Sequence, residues 1–199
     1  EGGTHRPPRS HHEFAYLPGV AEALALIRGA GLLPVVVTNQ PDVARGTTSR
    51  ALVEAFHDRL RADHGLVHLY TCFHDDADRC DCRKPAPGLL WRAAADLDLN
   101  LALSFIVGDR WRDVEAGRRA GCATVLVRYD YSGDANPDVS VPSLLDAARH
   151  ITHNPDMESP LDFTARYFND VAKIAAQIDR HVVGDLIDRT VDECGAALK

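Results

Sequence analysis

The sequence predicts an α/β domain, a parallel sheet covered by helices on both faces, with a helical extension at its C-terminal end. Two observations lead there. Short apolar runs rich in Val, Leu and Ile alternate with segments of helical period as far as about residue 150. Polar residues of chemical interest, Thr38, Cys72 and Asp109, stand at or just past the ends of those runs. Parallel sheets collect their chemistry at the carboxyl ends of their strands.

Residues 1–16 are polar, carry Pro7 and Pro8, and read as a loop. Pro18 and Gly19 open a helix whose apolar run, Val20–Ile27, is closed by Gly29 and Gly31. Leu33–Val37 suits a strand buried on both faces. Thr47 or Thr48 caps the next helix, which reaches about Asp63 with Leu52, Val53, Phe56 and Leu60 on one side. Leu66–Cys72 reads as a strand and leads into a loop rich in Asp and Cys; Pro87 then starts the helix Gly88–Leu97. Ser104–Val107 is a strand, Trp111–Ala120 a helix ended by Gly121, Ala123–Val127 a strand, and Ser143–Ile151 a short closing helix.

The first unit therefore spans 1–151. Residues 152–161, with Pro155 and Pro160, read as a linker. In 162–199 the residues Phe163, Tyr167, Val171, Ile174, Ile178, Val182, Leu186 and Val191 keep near-helical spacing. That segment is expected to be helical, with an apolar stripe that has no partner in the chain.

Of the 199 residues, 45% are hydrophobic and 26% charged, the balance of a soluble globular chain rather than a disordered one. A net charge of -7 argues against a nucleic-acid surface. No apolar run approaches a membrane span, so no membrane partner is expected. Glu1 rather than Met opens the chain, so a truncated or processed start is expected, and Glu1–His5 lacks the character of a signal peptide. Three of the five cysteines lie within Cys72–Cys82, which suggests metal ligands in a reducing cytoplasm rather than a disulfide framework.

Cys72-Phe73-His74 and Cys80-Asp81-Cys82 set three thiols and an imidazole within eleven positions. Structural zinc prefers such a set in a tetrahedron. One-residue gaps demand a tight knuckle, and an ion with four protein ligands holds a loop rather than performs chemistry. Ordinary reduced cysteines beside a surface histidine, or an iron–sulfur centre, are the alternatives. Cys122 and Cys194 are expected to be buried small side chains.

The Thr38-Asn39-Gln40 end of the first strand offers a hydroxyl and amides for a phosphoryl group, although Thr-Asn is equally ordinary turn chemistry. Arg83 and Lys84 follow the second Cys pair directly. A positioned Lys neutralises charge on a transferring phosphoryl group; a solvated basic pair is the plain alternative. Asp109 and Asp113 stand four apart across a strand-to-helix turn. They offer hard oxygen ligands for Mg2+ or a helix cap, and Asp113 suits the cap by itself.

Taken together, three stretches resemble the D-glycero-D-manno-heptose 1,7-bisphosphate 7-phosphatases of the haloacid-dehalogenase (HAD) superfamily. They are Val37-Thr38-Asn39-Gln40 with Ala44-Arg45-Gly46, Cys72-x-His74 with Cys80-x-Cys82-Arg83-Lys84-Pro85-x-Pro87-Gly88, and Val107-Gly108-Asp109-Arg110. Histidinol-phosphate phosphatases with a similar zinc loop are near relatives. The likeness spans roughly residues 5–150. It implies a Rossmann-like three-layer sandwich and a Mg2+-dependent hydrolase of a phosphorylated sugar, with structural Zn2+ on Cys72, His74, Cys80 and Cys82. It also implies roles. Thr38 hydrogen-bonds the phosphoryl group, Lys84 neutralises its oxygens and the nucleophile, and Asp109 binds Mg2+ with Arg110 or Asp113 in support. Asn39 orients substrate, Arg83 touches the substrate or its phosphate, and Arg45 contacts the remainder.

One departure is large. The family opens with a strand ending in Asp-x-Asp-Gly-Thr, whose first Asp attacks phosphorus and whose second handles the leaving-group proton. No Asp-x-Asp occurs before residue 20, and Glu1-Gly2-Gly3-Thr4 echoes the motif without an apolar strand ahead of it. A sheet without its central first strand is expected. The strands near 33–38 and 104–107 then either lose their shared partner or pair directly. Without the nucleophile the aspartyl-phosphate route is closed, so this polypeptide by itself is expected to be inactive and of low stability.

The stretch Tyr167–Leu198 resembles the opening helices of sugar-isomerase (SIS) domains; an oligomerisation or docking helix is the alternative. Two other functions stay open at this point: histidinol-phosphate hydrolysis, and an inactive zinc-bearing module that binds sugar phosphates or a partner.

Overall fold

The computed structural model describes residues 8–153, where helices and strands alternate as α1 Val20–Gly29, β1 Val36–Asn39, α2 Pro41–Ala44, α3 Arg50–His64, β2 Leu69–Cys72, α4 Gly88–Leu97, β3 Phe105–Gly108, α5 Trp111–Ala120, β4 Ala123–Val127, β5 Val139–Val141 and α6 Leu144–His153. The helix and SIS readings for 162–199, and Cys194, lie outside the described residues.

Local chemistry moves several boundaries. β1 starts at Val36 instead of Leu33, and its residues are half-buried instead of enclosed on both faces. Pro34 has no N–H for a ladder and holds its predecessor away from regular pairing. The cap of α3 is Ser49, not Thr47 or Thr48: its Oγ accepts the Leu52 N–H at 3.1 Å. The two threonine N–H groups instead donate to the Asp42 carbonyl at 2.9 and 3.1 Å, which keeps them in the turn after α2. β2 is shorter than expected, and β5 was not foreseen.

Among the described residues every ladder is parallel. β1 pairs with β2 in the register Thr38↔Thr71 and Asn39↔Cys72; β3 pairs with β4, and β4 with β5. Among the described residues no ladder joins β1 to β3, so the sheet exists as two parts, β1-β2 and β3-β4-β5. The interruption lies between β1 and β3, which do not pair directly. Side chains hold the parts together instead: Val37 packs against Leu90, Ile106, Ala116 and Cys122, the last buried as expected. Leu89, Val125 and Leu126 are also enclosed, each contributing about 1.5–3 kcal/mol through removal from water. No helix among the described residues is long and apolar enough to cross a membrane.

Candidate active site

The site is built on the carboxyl ends of β1 and β3. At the end of β1, Asn39 grips the peptide of Lys84 with both ends of its amide: Nδ2 donates to Lys84 O at 3.0 Å, and Lys84 N donates to Oδ1 at 3.1 Å. Lys84 then extends along β1, and its Nζ donates to the Val37 carbonyl at 2.9 Å. The same ammonium lies 2.5 Å from Asp113 Oδ1 on α5. Lys84 thus bridges the two parts of the sheet at the place where the ladder is interrupted.

Asp113 has a second role. Its Oδ2 accepts the Arg110 N–H at 3.0 Å and so caps α5. Gly108, at the end of β3, makes this possible, because a Cβ there would overlap the Cβ and carboxyl carbon of Asp113. One residue on, Asp109 accepts a hydrogen bond at Oδ2 from the Tyr131 hydroxyl at 2.9 Å. Thr38 Oγ1 accepts from Gln40 Nε2 at 3.1 Å, which leaves its own O–H to be donated elsewhere.

Beside the rim, the chain leaves β2 at Cys72 into a knuckle. Cys72, His74, Cys80 and Cys82 bring one ligand atom each to within 4.8 Å of all the others. The Cys82 sulfur is 3.3 Å from that of Cys72, 3.4 Å from that of Cys80 and 3.3 Å from His74 Nδ1. Cys72 stands 3.7 Å from Cys80. These are no disulfides, in which the sulfurs lie about 2 Å apart. They approach the edges of a tetrahedron around one ion, about 3.8 Å between sulfurs for metal–sulfur bonds of about 2.3 Å. Burial, followed by the hydrogen bonds that the Cys82 thiol donates to Cys72 and Cys80, pushes Cys82 up to about 12; a shared cation would reverse that balance and favour thiolates.

Comparison with known proteins decides what this arrangement belongs to. The HAD-hydrolase-like family profile matches residues 81–147, a stretch that contains Lys84, Asp109, Asp113 and Tyr131. The D-glycero-beta-D-manno-heptose-1,7-bisphosphate 7-phosphatase of Pseudomonas putida is 39% identical over 121 residues, which are 58% of this chain and 69% of that protein. The enzyme of the same name from Haemophilus ducreyi is 35% identical over 156 residues, 70% of this chain and 86% of that one. The chain belongs to this heptose-bisphosphate phosphatase family. In structure it is similar to the D,D-heptose 1,7-bisphosphate phosphatase of B. bronchiseptica complexed with magnesium and phosphate. That match has a TM-score of 0.66 at 32% identity and covers 73% of this chain and 88% of that one.

Within this heptose-bisphosphate phosphatase framework, the side chains expected to touch substrate are already engaged. Asn39 is committed to the Lys84 peptide. Arg45 pairs with Asp75 through Nε at 2.8 Å and Nη2 at 2.5 Å, and its hydrogen bonds hold the Asp75 carboxyl at about 2. Arg83 is only 8% exposed, its Nε donates to Asp76 Oδ1 at 2.7 Å, and its Nη1 is buried without a hydrogen-bond partner. The Arg110 guanidinium lies 5.0 Å from the Tyr131 ring centre. A cavity of about 120 Å³ opens between Arg83, Lys84 and the carboxylates of Asp75 and Asp76. A larger one of about 450 Å³ runs along α5 and touches none of Thr38, Lys84 or Asp109. Tyr131 was missed by sequence reasoning. Its place just past the end of β4 carried the same positional signal as Asp109 at the end of β3.

Proposed function

We propose that this chain acts as a phosphatase on a phosphorylated sugar, removing the 7-phosphate of D-glycero-D-manno-heptose 1,7-bisphosphate through a unit spanning 1–151. The observation that carries the reading is the Lys84 ammonium, fixed between Val37 O and Asp113 at the mouth of the interrupted sheet. A cation so placed is oriented before substrate arrives and stabilises charge on phosphoryl oxygens without reorganising. The Thr38 hydroxyl donates to one of those oxygens, its oxygen being oriented by the hydrogen bond from Gln40.

Asp109 would hold Mg2+, whose charge neutralises the phosphoryl group when the ion is bound. The fit lies in the donor set: a hard carboxylate at the strand end, with Oδ2 oriented by Tyr131. The B. bronchiseptica enzyme was crystallised with magnesium and phosphate, which supports the same ion here. Cys72, His74, Cys80 and Cys82 would hold structural Zn2+, with no position left for a reacting group. Three reduced thiols in close contact suit a reducing compartment, the cytoplasm.

The family's covalent route needs a free carboxylate to attack phosphorus. Among the described rim residues, Asp113 is taken by Lys84 and Arg110 N, and Asp109 by Tyr131. With Asp109 reserved for the cation, this reading puts the attacking carboxylate on a strand between β1 and β3. The test measures phosphate release from heptose 1,7-bisphosphate and from histidinol phosphate with Mg2+. It uses the chain alone and the chain preceded by an apolar strand ending in Asp-x-Asp-Gly-Thr. Release from the heptose, confined to the strand-bearing version, is the expected result. Release from neither substrate, or faster release from histidinol phosphate, refutes the reading.

A further inference from the structure

Tyr131 enters the rim from the turn that follows β4. β4 ends at Val127, and the chain makes a tight turn in which Ser132 N donates to Tyr129 O at 3.0 Å and Tyr129 N donates to Ser132 Oγ at 2.8 Å. Ser132 is 1% exposed, and its carbonyl accepts the Trp111 N–H, the first of α5, at 2.9 Å. The turn is thereby pinned to the first residue of α5, two positions after Asp109. From this anchor Tyr131 reaches back to Asp109 Oδ2. Its ring is stacked on Tyr129 with centroids 5.2 Å apart and planes 3° from parallel, and the Arg110 guanidinium lies over it. Backbone, ring and hydroxyl are all fixed, so the hydrogen bond restrains the carboxylate. Among the described residues, Asp109 Oδ1 accepts no hydrogen bond.

We propose that Tyr131 is a positioning residue, which holds Asp109 by Oδ2 so that Oδ1 faces a divalent cation. The inference rests on the assignment of Asp109 as the cation ligand. Partners that orient a ligating carboxylate are worth about 10–100-fold in metal affinity, and the stacked Tyr129 makes this orientation independent of the substrate.

The test is Mn2+ binding by the full chain, read as loss of the free-ion electron paramagnetic resonance signal, with melting temperature measured in parallel. It needs no turnover. Tyr131→Phe keeps the ring stack and removes only the hydroxyl. It should weaken Mn2+ about tenfold while leaving the melting temperature unchanged, and Asp109→Asn should bind no Mn2+. Tyr131→Phe with wild-type affinity overturns the positioning role and leaves the phosphatase reading intact. A wild type that takes up no more Mn2+ than Asp109→Asn removes Asp109 from the cation site and this inference with it; phosphate release still judges the phosphatase separately. A large fall in melting temperature in Tyr131→Phe with unchanged affinity assigns the hydroxyl to folding and also overturns the proposal.

Discussion

Lys84 and Asp113 form an ion pair of 2.5 Å in which neither side chain is more than 12% exposed. The pair joins the loop after the Cys/His knuckle to the first turn of α5 across the interruption of the sheet. Removing one partner of a buried pair strands the other charge, at about 3–5 kcal/mol. Lys84→Met should therefore lower the urea midpoint by that equivalent, and Asp113→Asn by a similar amount. The double variant should lose less than the sum of the two. Strict additivity would show that the charges do not sense each other.

Gly108→Ala probes the same contact from the strand. The new methyl overlaps the Asp113 side chain, and overpacking of this kind costs about 1–3 kcal/mol. Asp113 must then swing from both Lys84 and Arg110 N. The expected outcome is a lowered melting temperature together with loss of phosphate release in the strand-bearing version. An unchanged melting temperature would mean that the approach of strand and carboxylate relaxes without cost.

The Cys/His knuckle should contain zinc as purified, about one ion per chain. Cys72→Ser removes a buried sulfur that touches the three other ligands. Its zinc content should fall towards none, and chelators should lower the melting temperature of the wild type but not of the variant. Equal zinc in both proteins, by elemental analysis, rules out Cys72 as a ligand.

Asp75 sets a pH limit on the outer part of the knuckle. Hydrogen bonds from Arg45 hold its carboxyl at about 2, below the ordinary 3.8. A carboxylate depressed in the folded state contributes stability in full above its unfolded value and loses it as pH falls through the folded one. The Asp75 contribution is thus complete above about pH 4 and fades between about pH 4 and 2. Melting temperature measured across that window should fall less steeply in Asp75→Asn than in wild type; parallel curves would assign the acid limb to other groups.

Much of this architecture was legible from residue patterns, and the failures have physical causes. The strand–helix alternation, the Cys/His spacing and the placement of Thr38, Cys72 and Asp109 at or just past strand ends follow from local order in the chain. The cap at Ser49 was hidden because Thr47 and Thr48 are equally good caps until Asp42 O claims their N–H groups. β5 is only three residues long and reaches its partner β4 across an irregular segment after Val127. Part of its setting is Asp138, whose carboxylate binds the N–H and hydroxyl of Thr124. The engagement of Asn39, Arg45 and Arg83 was not legible, because each partner is distant in sequence or one of several nearby acids. Tyr131 was overlooked since a tyrosine after a strand carries no chemical signature until its hydroxyl meets Asp109.

The excursion from Cys72 to Lys84 leaves and returns at one point. Cys72 is the register partner of Asn39, and Asn39 clasps the Lys84 peptide. Anchored at both ends to a single residue, by backbone register at one and by side chain at the other, the loop is closed at its base, with its outer turn around Asp76–Asp78 beyond that clasp. Changes of length or charge in that turn can reshape whatever approaches the rim while the ammonium stays at its station, which separates the evolution of selectivity from the maintenance of chemistry.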